Sequence, residues 1–185
     1  MMRVLPLLLL AVPAFAQGPA WYGKAVESVE AKFVPSEAKP GQTVELQITV
    51  TLKLGYFTYP LVQKDKGAAD MVNAIKYPTA GAIFFVGDTI DPPMPKSKAE
   101  PDLGIKEILH YTGSATYTRP VVVNPKATAS TVTVTLPEFR LSVCDKDNCF
   151  PAYKLTPAAT LKILDGAVPV EAKYAAEVEK ALKGN

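Results

Sequence analysis

The stretch VELQITVTLK, residues 44–53, decides the fold of this chain. Apolar and polar side chains alternate through it without a break. Because successive side chains of a β-strand point to opposite faces of the sheet, the pattern predicts a strand with one buried face and one hydrated face. Strands of this kind are typical of antiparallel sheets.

Further strands are predicted on both sides of this stretch, at residues 26–34, 83–86, 115–123, 131–136 and 160–164. Residues 91–104 are rich in proline, which cannot donate to a sheet ladder, and they predict a loop. The inward positions switch from even to odd numbers near Pro137 and Glu138, which predicts a β-bulge. With about eight strands, the sequence predicts an all-β, immunoglobulin-like β-sandwich over residues 26–165.

The two ends of the chain carry other signals. Arg3, the apolar run 4–12 and the small residues Ala14 and Ala16 predict a cleavable signal peptide over residues 1–16, with an uncleaved anchor as the alternative. A loose leader is expected over residues 17–25. Residues 166–185 predict a short C-terminal α-helix that begins at Pro169, with apolar residues at i, i+4 spacing and Gly184 as its cap.

Export predicts a periplasmic protein whose cysteines meet an oxidising environment. The chain has two cysteines, both in the stretch VCDKDNCFP at residues 143–151. Alternating runs flank the stretch and predict a hairpin, in which Cys144 and Cys149 are close enough to form a disulfide. Cys144 falls on the side of Arg140 and Ser142, away from the apolar residues, so we expect a cysteine pair that solvent reaches.

Other chemistry finds little support in the residues. The single histidine, His110, excludes multi-histidine metal sites, and a site of Cys144, Cys149 and His110 lacks a fourth ligand. No glycine-rich phosphate loop is present, and a formal net charge of +2 indicates no nucleic-acid partner. We expect no metal, no small-molecule substrate and no cofactor beyond the cysteine pair.

The cysteine pair itself allows two interpretations. Because the loop it closes is so short, the disulfide contributes only about 2 kcal/mol to the free energy of unfolding. A domain of this size does not depend on so small a contribution, which favours a redox role. Asp145 and Asp147, however, disfavour a reactive thiolate. From the residues alone, a redox-active pair and a structural hairpin disulfide both remain open.

Three motifs in order, GYFTY at 55–59, HYTG at 110–113 and VCDKDNCFP at 143–151, give the sequence a family resemblance. It resembles the N-terminal periplasmic domain of the thiol:disulfide interchange protein DsbD over roughly residues 26–165. The resemblance implies an immunoglobulin-like fold and a role in passing electrons from a membrane-embedded thiol reductase to periplasmic thioredoxin-like proteins. Since this sequence shows no membrane domain, we expect the donor to be a separate polypeptide.

The resemblance also implies roles for individual residues. Cys149 is the expected attacking thiol and Cys144 its resolving partner. Tyr111, next to His110 in the segment that matches the family's cap loop, is the expected cap over the disulfide, and Tyr56 and Tyr59 are expected to line the site. The alternative is a non-catalytic immunoglobulin-like binding or assembly module whose disulfide only fixes a hairpin.

Overall fold

The computed structural model of the chain describes residues 18–79 and 81–183. The predicted signal peptide and the predicted helix cap Gly184 lie outside these ranges. The described part is an all-β, immunoglobulin-like sandwich of mostly antiparallel strands with one short C-terminal helix. Its strands are β1 (Val26–Val34), β2 (Glu37–Ala38), β3 (Thr43–Leu52), β4 (Phe57–Thr58), β5 (Ala74–Lys76), β6 (Ile83–Phe85), β7 (Lys96–Glu100), β8 (Ile105–Thr112), β9 (Ser114–Val123), β10 (Ser130–Thr135), β11 (Glu138–Leu141), β12 (Val143–Cys144), β13 (Tyr153–Leu155) and β14 (Ala158–Ile163).

The longest sheet has the strand order β1-β3-β9-β6. Strand β3, the alternating stretch of the sequence, pairs with β1 on one side and with β9 on the other, antiparallel in both cases. Its apolar side chains are buried as the alternation predicts, with Ile48 opposite Tyr117 of β9. The prediction of strands at 26–34 and 44–53 is therefore confirmed.

The remaining strands form three shorter sheets with the orders β10-β14-β2, β13-β11-β5 and β12-β4-β8-β7. The main buried cluster joins Ile48 and Tyr117 of the long sheet to Phe139 of β11 and Leu161 of β14. The rings of Tyr117 and Phe139 meet edge to face at 5.8 Å, an arrangement that adds about 0.5–1.5 kcal/mol to the burial of their area. This core holds the layers of the sandwich together.

Two details of the predicted strands are wrong. Residues 91–104 are not all loop, since they contain β7, which pairs only with β8 and forms the edge of its sheet, where flanking prolines are tolerated. No β-bulge lies near Pro137, because β10 and β11 belong to different sheets and each pairs without a register shift. The switch from even to odd inward positions marks the crossing of the chain between sheets.

The C-terminal helix is shorter than predicted. A 3₁₀ turn at Ala172–Tyr174 leads into an α-helix at Ala175–Lys183, so the helix does not begin at Pro169. Val178 is buried against Phe84, Val86 and Val122, which docks the helix on the long sheet. No helix among the described residues is long and apolar enough to cross a membrane.

Candidate functional site

The two cysteines form a disulfide across the predicted hairpin. Cys144 and Cys149 are bonded, with their Cα atoms 4.1 Å apart. The turn between them is closed by the backbone N–H of Asp145, which donates to the carbonyl of Asn148 at 2.8 Å. The Asp145 carboxylate accepts the backbone N–H groups of Asp147 and Asn148, at 2.8 and 2.7 Å. Asp145 is therefore engaged in shaping the loop as well as placing a negative charge beside the sulfurs.

The two cysteines differ in their exposure. Cys149 is exposed, whereas Cys144 is only 2% exposed, so the expectation of a pair open to solvent is wrong for Cys144. Cys144 does point away from the main core, as the alternation predicts. A second buried cluster, which includes Phe57, Tyr59 and Ile108, covers it on that side. An incoming thiol therefore meets Cys149 first.

The sheet β12-β4-β8-β7 positions the groups around the disulfide. Cys144 of β12 lies opposite Phe57 of β4. Toward the other edge of the sheet, Ile108 of β8 lies opposite Lys98 of β7. Because directly opposed residues share a face, Cys144, Phe57, Ile108 and Lys98 lie on the same side of this sheet. The Lys98 ammonium lies 4.8 Å from the centre of the Phe57 ring, so this face combines an aromatic centre with a positive charge.

Tyr59 contacts both sulfurs. Its hydroxyl oxygen lies 3.0 Å from Sγ of Cys144 and 3.5 Å from Sγ of Cys149. Since disulfide sulfurs carry no hydrogen, the tyrosine hydroxyl is the donor. Burial, with a smaller contribution from the charge of Glu100, raises the pKa of Tyr59 to about 12. Tyr59 therefore keeps its proton and remains a donor at neutral pH.

Two open clefts, each of about 280 Å³, flank the disulfide and share Tyr59, Met71 and Cys149. The first is also lined by Lys98 and Glu100, whose charged groups pair at 2.8 Å. The second also includes Arg140, Ser142 and Phe150. Cys149 is thus accessible between two concave surfaces, as a cysteine that meets another protein requires.

Sequence reasoning missed Asn73, a buried residue that connects the strands of the site. Its Nδ2 lies 2.7 Å from the carbonyl of Tyr59, 2.9 Å from the Thr58 hydroxyl and 2.6 Å from the Tyr117 hydroxyl. Its Oδ1 accepts the backbone N–H of Ser142 at 2.8 Å. Asn73 therefore fixes the segment that follows β4 and carries Tyr59 relative to the residue that precedes β12 and Cys144. A single asparagine in an irregular segment gives no sequence signal of this role.

The predicted cap residues lie in different places. Tyr111 is buried in the main core on the opposite face of the sheet from Cys144, and its hydroxyl donates to the carbonyl of Pro92 at 2.8 Å. The structure does not bring Tyr111 to the disulfide. His110 is on the disulfide face, with its ring 5.1 Å from that of Phe57. Tyr56 lines neither of the two clefts at the disulfide, and its ring centre lies 6.2 Å from that of Phe150.

The described part of the predicted leader, residues 18–25, packs against the domain and is not loose. Its residues 22–25 form one helical turn, and the Trp21 ring stacks on that of Phe150 at 5.2 Å with an interplanar angle of 10°. Tyr22 packs against Tyr153 at 5.1 Å. Since Phe150 directly follows Cys149, this segment supports the loop that carries the exposed sulfur.

No protein-family model and no curated protein matches the chain. Among solved structures, the N-terminal periplasmic domain of ScsB from Proteus mirabilis matches with a TM-score of 0.43 and 16% identity, over 80% of this chain and 50% of that chain. A type I cohesin–dockerin complex from Clostridium thermocellum matches with a TM-score of 0.30 and 12% identity, over 75% of this chain and 100% of that chain.

This chain thus spans about half the length of the ScsB chain. Neither likeness shows a function for this chain, and membership in the DsbD family stays a prediction.

Proposed function

We propose that this protein is a periplasmic thiol–disulfide exchange protein. Its Cys144–Cys149 pair passes reducing equivalents from a separate membrane-embedded thiol reductase to thioredoxin-like partners. The observation that supports this most is the asymmetry of the bond, with an exposed Cys149 between two clefts and a buried Cys144 held by a tyrosine hydroxyl. The two sulfurs store the two electrons, so no further cofactor is required.

Reduction of the disulfide takes two exchange steps. A thiolate of the donor attacks Sγ of Cys149, the Cys144–Cys149 bond breaks, and Cys144 leaves as a thiolate. The second thiolate of the donor then attacks the donor sulfur of the mixed disulfide and releases Cys149 as a thiolate. The donor is oxidised to a disulfide by two electrons, and the protein is reduced by the same two.

Tyr59 assists the first step because it lies at the leaving sulfur. A hydrogen bond to a charged acceptor is stronger than one to a neutral acceptor, so the hydroxyl favours the thiolate of Cys144 over the thiol. A leaving thiol with a lowered pKa departs faster. The neighbouring carboxylate of Glu100 opposes this effect, and its pairing with Lys98 reduces the opposition.

Transfer to the acceptor reverses the order of the cysteines. The exposed Cys149 thiolate attacks the disulfide of a thioredoxin-like protein and forms a mixed disulfide with it. The Cys144 thiolate then attacks Sγ of Cys149, which reforms the intramolecular bond and releases the acceptor as a dithiol. Cys149 is the attacking cysteine and Cys144 the resolving cysteine in this scheme.

Single-cysteine variants test the assignment. Cys144→Ala and Cys149→Ala, each reduced, are mixed with oxidised thioredoxin as the probe, and mixed disulfides are quantified by mass spectrometry. We expect Cys144→Ala to accumulate a mixed disulfide and Cys149→Ala to form it at least about tenfold more slowly, because a buried thiol is poorly reactive. Equal rates would contradict the assigned roles, and the absence of adducts with both variants would contradict exchange itself.

A second candidate is a non-catalytic immunoglobulin-like binding or assembly module with a structural hairpin disulfide. The burial of Cys144 is the observation that favours it, since buried cysteines in structural bonds are inert. The reduction potential of the bond separates the two candidates, because structural disulfides have potentials below about −300 mV.

A further inference from the structure

We propose that a groove next to the disulfide binds an acidic, partly apolar segment of the protein that exchanges with Cys149. This inference rests on the proposed function and names the chemistry of its partner. The groove, called here the lysine groove, has a volume of about 460 Å³ and is lined mainly by Lys53, Leu54, Tyr56, Phe57, Lys96 and Thr112.

The floor and walls of the lysine groove are apolar and open. Leu54, at the turn between β3 and β4, is fully exposed and presents an apolar side chain to the groove. The two turns that border the groove have Gly55 and Gly113 at their tips, with φ values of 90° and 72°. Apart from the adjacent residues of the chain, no atom lies within 4 Å of the Cβ position of either glycine, so both turns leave room for an incoming chain.

The charges of the lysine groove are of one sign. Lys53 and Lys96 are exposed, and no Asp or Glu lines the groove. Within residues 18–79 and 81–183, neither lysine takes part in an ion pair; Lys53 instead donates to the carbonyl of Gly23 at 2.7 Å. The chain as a whole has a formal net charge of only +2, so this positive surface is local. Its complement is a segment with Asp or Glu beside an apolar side chain.

The lysine groove continues into the redox site. Phe57 lines both the groove and the cleft that contains Cys149. Phe57 lies opposite Cys144 on the neighbouring strand, and the Cα atoms of the two cysteines are 4.1 Å apart. From the ~5 Å spacing of paired strands, the groove therefore begins about 10 Å from Cys149, or about three extended residues. A partner whose cysteine reaches Cys149 places its neighbouring residues in the groove.

Synthetic peptides test this inference on the oxidised protein. Each peptide has one cysteine and a leucine about three residues away, in either order along the chain, with two Glu or two Gln residues beside the leucine. The rate of exchange with Cys149 is measured at low and at high salt. We expect the Glu peptide to react at least about threefold faster than the Gln peptide at ~20 mM salt, and the difference to disappear at ~0.5 M salt.

Matched variants show which lysines cause the faster reaction of the Glu peptide. Lys53→Gln with Lys96→Gln should abolish the advantage of the Glu peptide. Lys39→Gln with Lys126→Gln should preserve it, because these lysines lie near the other end of β9, about 30 Å away along the strand. Dithiothreitol, which has neither a carboxylate nor a peptide segment that could occupy the groove, should reduce all variants at the same rate.

The outcomes separate the inference from the proposed function. If dithiothreitol and thioredoxin exchange with the disulfide but the Glu and Gln peptides react equally, the lysine groove has no acidic partner and only this inference is overturned. Only this inference is also overturned if the native protein self-associates in sedimentation and the variant Lys53→Gln with Lys96→Gln does not. The occupant of the groove is then a second copy of the chain. If no thiol exchanges with the disulfide, the proposed function is overturned and the inference with it.

Discussion

The hydroxyl of Tyr59 donates a hydrogen bond to the sulfur of Cys144 at 3.0 Å, inside a cluster that covers this cysteine. Cys144 is almost entirely shielded from water, so a thiolate formed there has little solvation from solvent. Burial without a partner raises the pKa of a thiol. The Tyr59 hydroxyl is thus the group that decides how readily this sulfur leaves when the disulfide opens.

Removal of that hydroxyl in Tyr59→Phe should slow reduction of the disulfide at least about tenfold, because a hydrogen bond to a charged group contributes about 1.5–3 kcal/mol. The reduced variant should also show a higher pKa for the Cys144 thiol, measured by the pH dependence of its thiolate absorbance. Since Tyr59 itself has a pKa of about 12, the native protein should show no ionisation of this tyrosine near neutral pH.

The matched control is Tyr174→Phe, a tyrosine next to the C-terminal helix. It should leave the rate of reduction unchanged. If Tyr59→Phe is reduced as fast as the native protein while Tyr174→Phe is also unchanged, the hydroxyl has no role in the exchange.

The disulfide should contribute little to stability. It closes a short loop, with a sequence separation of 5, so replacing both cysteines by alanine should lower the free energy of unfolding by only about 2 kcal/mol. Urea denaturation monitored by circular dichroism measures this difference. A double-alanine chain that does not fold would show that the bond is a structural staple, in favour of the alternative module.

Asn73→Ala should destabilise the protein by about 3 kcal/mol, because it leaves the backbone N–H of Ser142 without a partner and removes one of the two donors to the carbonyl of Tyr59, the other being the Tyr117 hydroxyl. Urea denaturation of the native protein and the variant gives this value. Asn124→Ala is the control, since the Asn124 side chain makes its two hydrogen bonds at the surface, and their loss should cost less than about 1 kcal/mol. Equal losses in the two variants would contradict a special role for the buried amide.

The stability of the native protein should fall as the pH falls through the range in which His110 titrates. Burial, and to a smaller extent Lys98 and Lys96, lowers the pKa of His110 below its usual value. The unfolded chain therefore binds a proton at a higher pH than the folded protein, and the contribution of neutral His110 to stability is lost below about pH 6.5. Compared with the native protein, His110→Gln should lose less stability between about pH 7.5 and 5 in urea denaturation. An identical pH dependence in the two proteins would contradict this assignment.

Local sequence pattern was sufficient for the long strands β1, β3 and β9 and for the pairing of the cysteines. The alternation in residues 44–53 predicts which side chains of β3 are buried, and the two flanks of residues 143–151 predict the hairpin and its disulfide. Both are properties of neighbouring residues, which is why a single sequence shows them.

Local pattern did not predict which side chains from distant segments lie close together in the fold. Alternation assigns Cys144 to the face opposite Val143, but only the pairing of β4, β8 and β12 shows that Phe57 and Ile108 cover that face. The same pairing places Tyr111 in the main core, away from the disulfide. Asn73 and the lysine groove likewise depend on contacts between segments that are distant in sequence.

The reduction potential of the Cys144–Cys149 pair tests the central claim most directly. The native protein is equilibrated with a series of glutathione or thioredoxin redox buffers, and the reduced fraction is determined by alkylation and mass spectrometry. A working exchange disulfide predicts a potential clearly above about −300 mV, where each 30 mV corresponds to ~1.4 kcal/mol. A potential below about −300 mV, together with a Cys144–Cys149 bond that reduced thioredoxin does not open, would contradict the account. The protein would then be a sandwich with a structural hairpin disulfide.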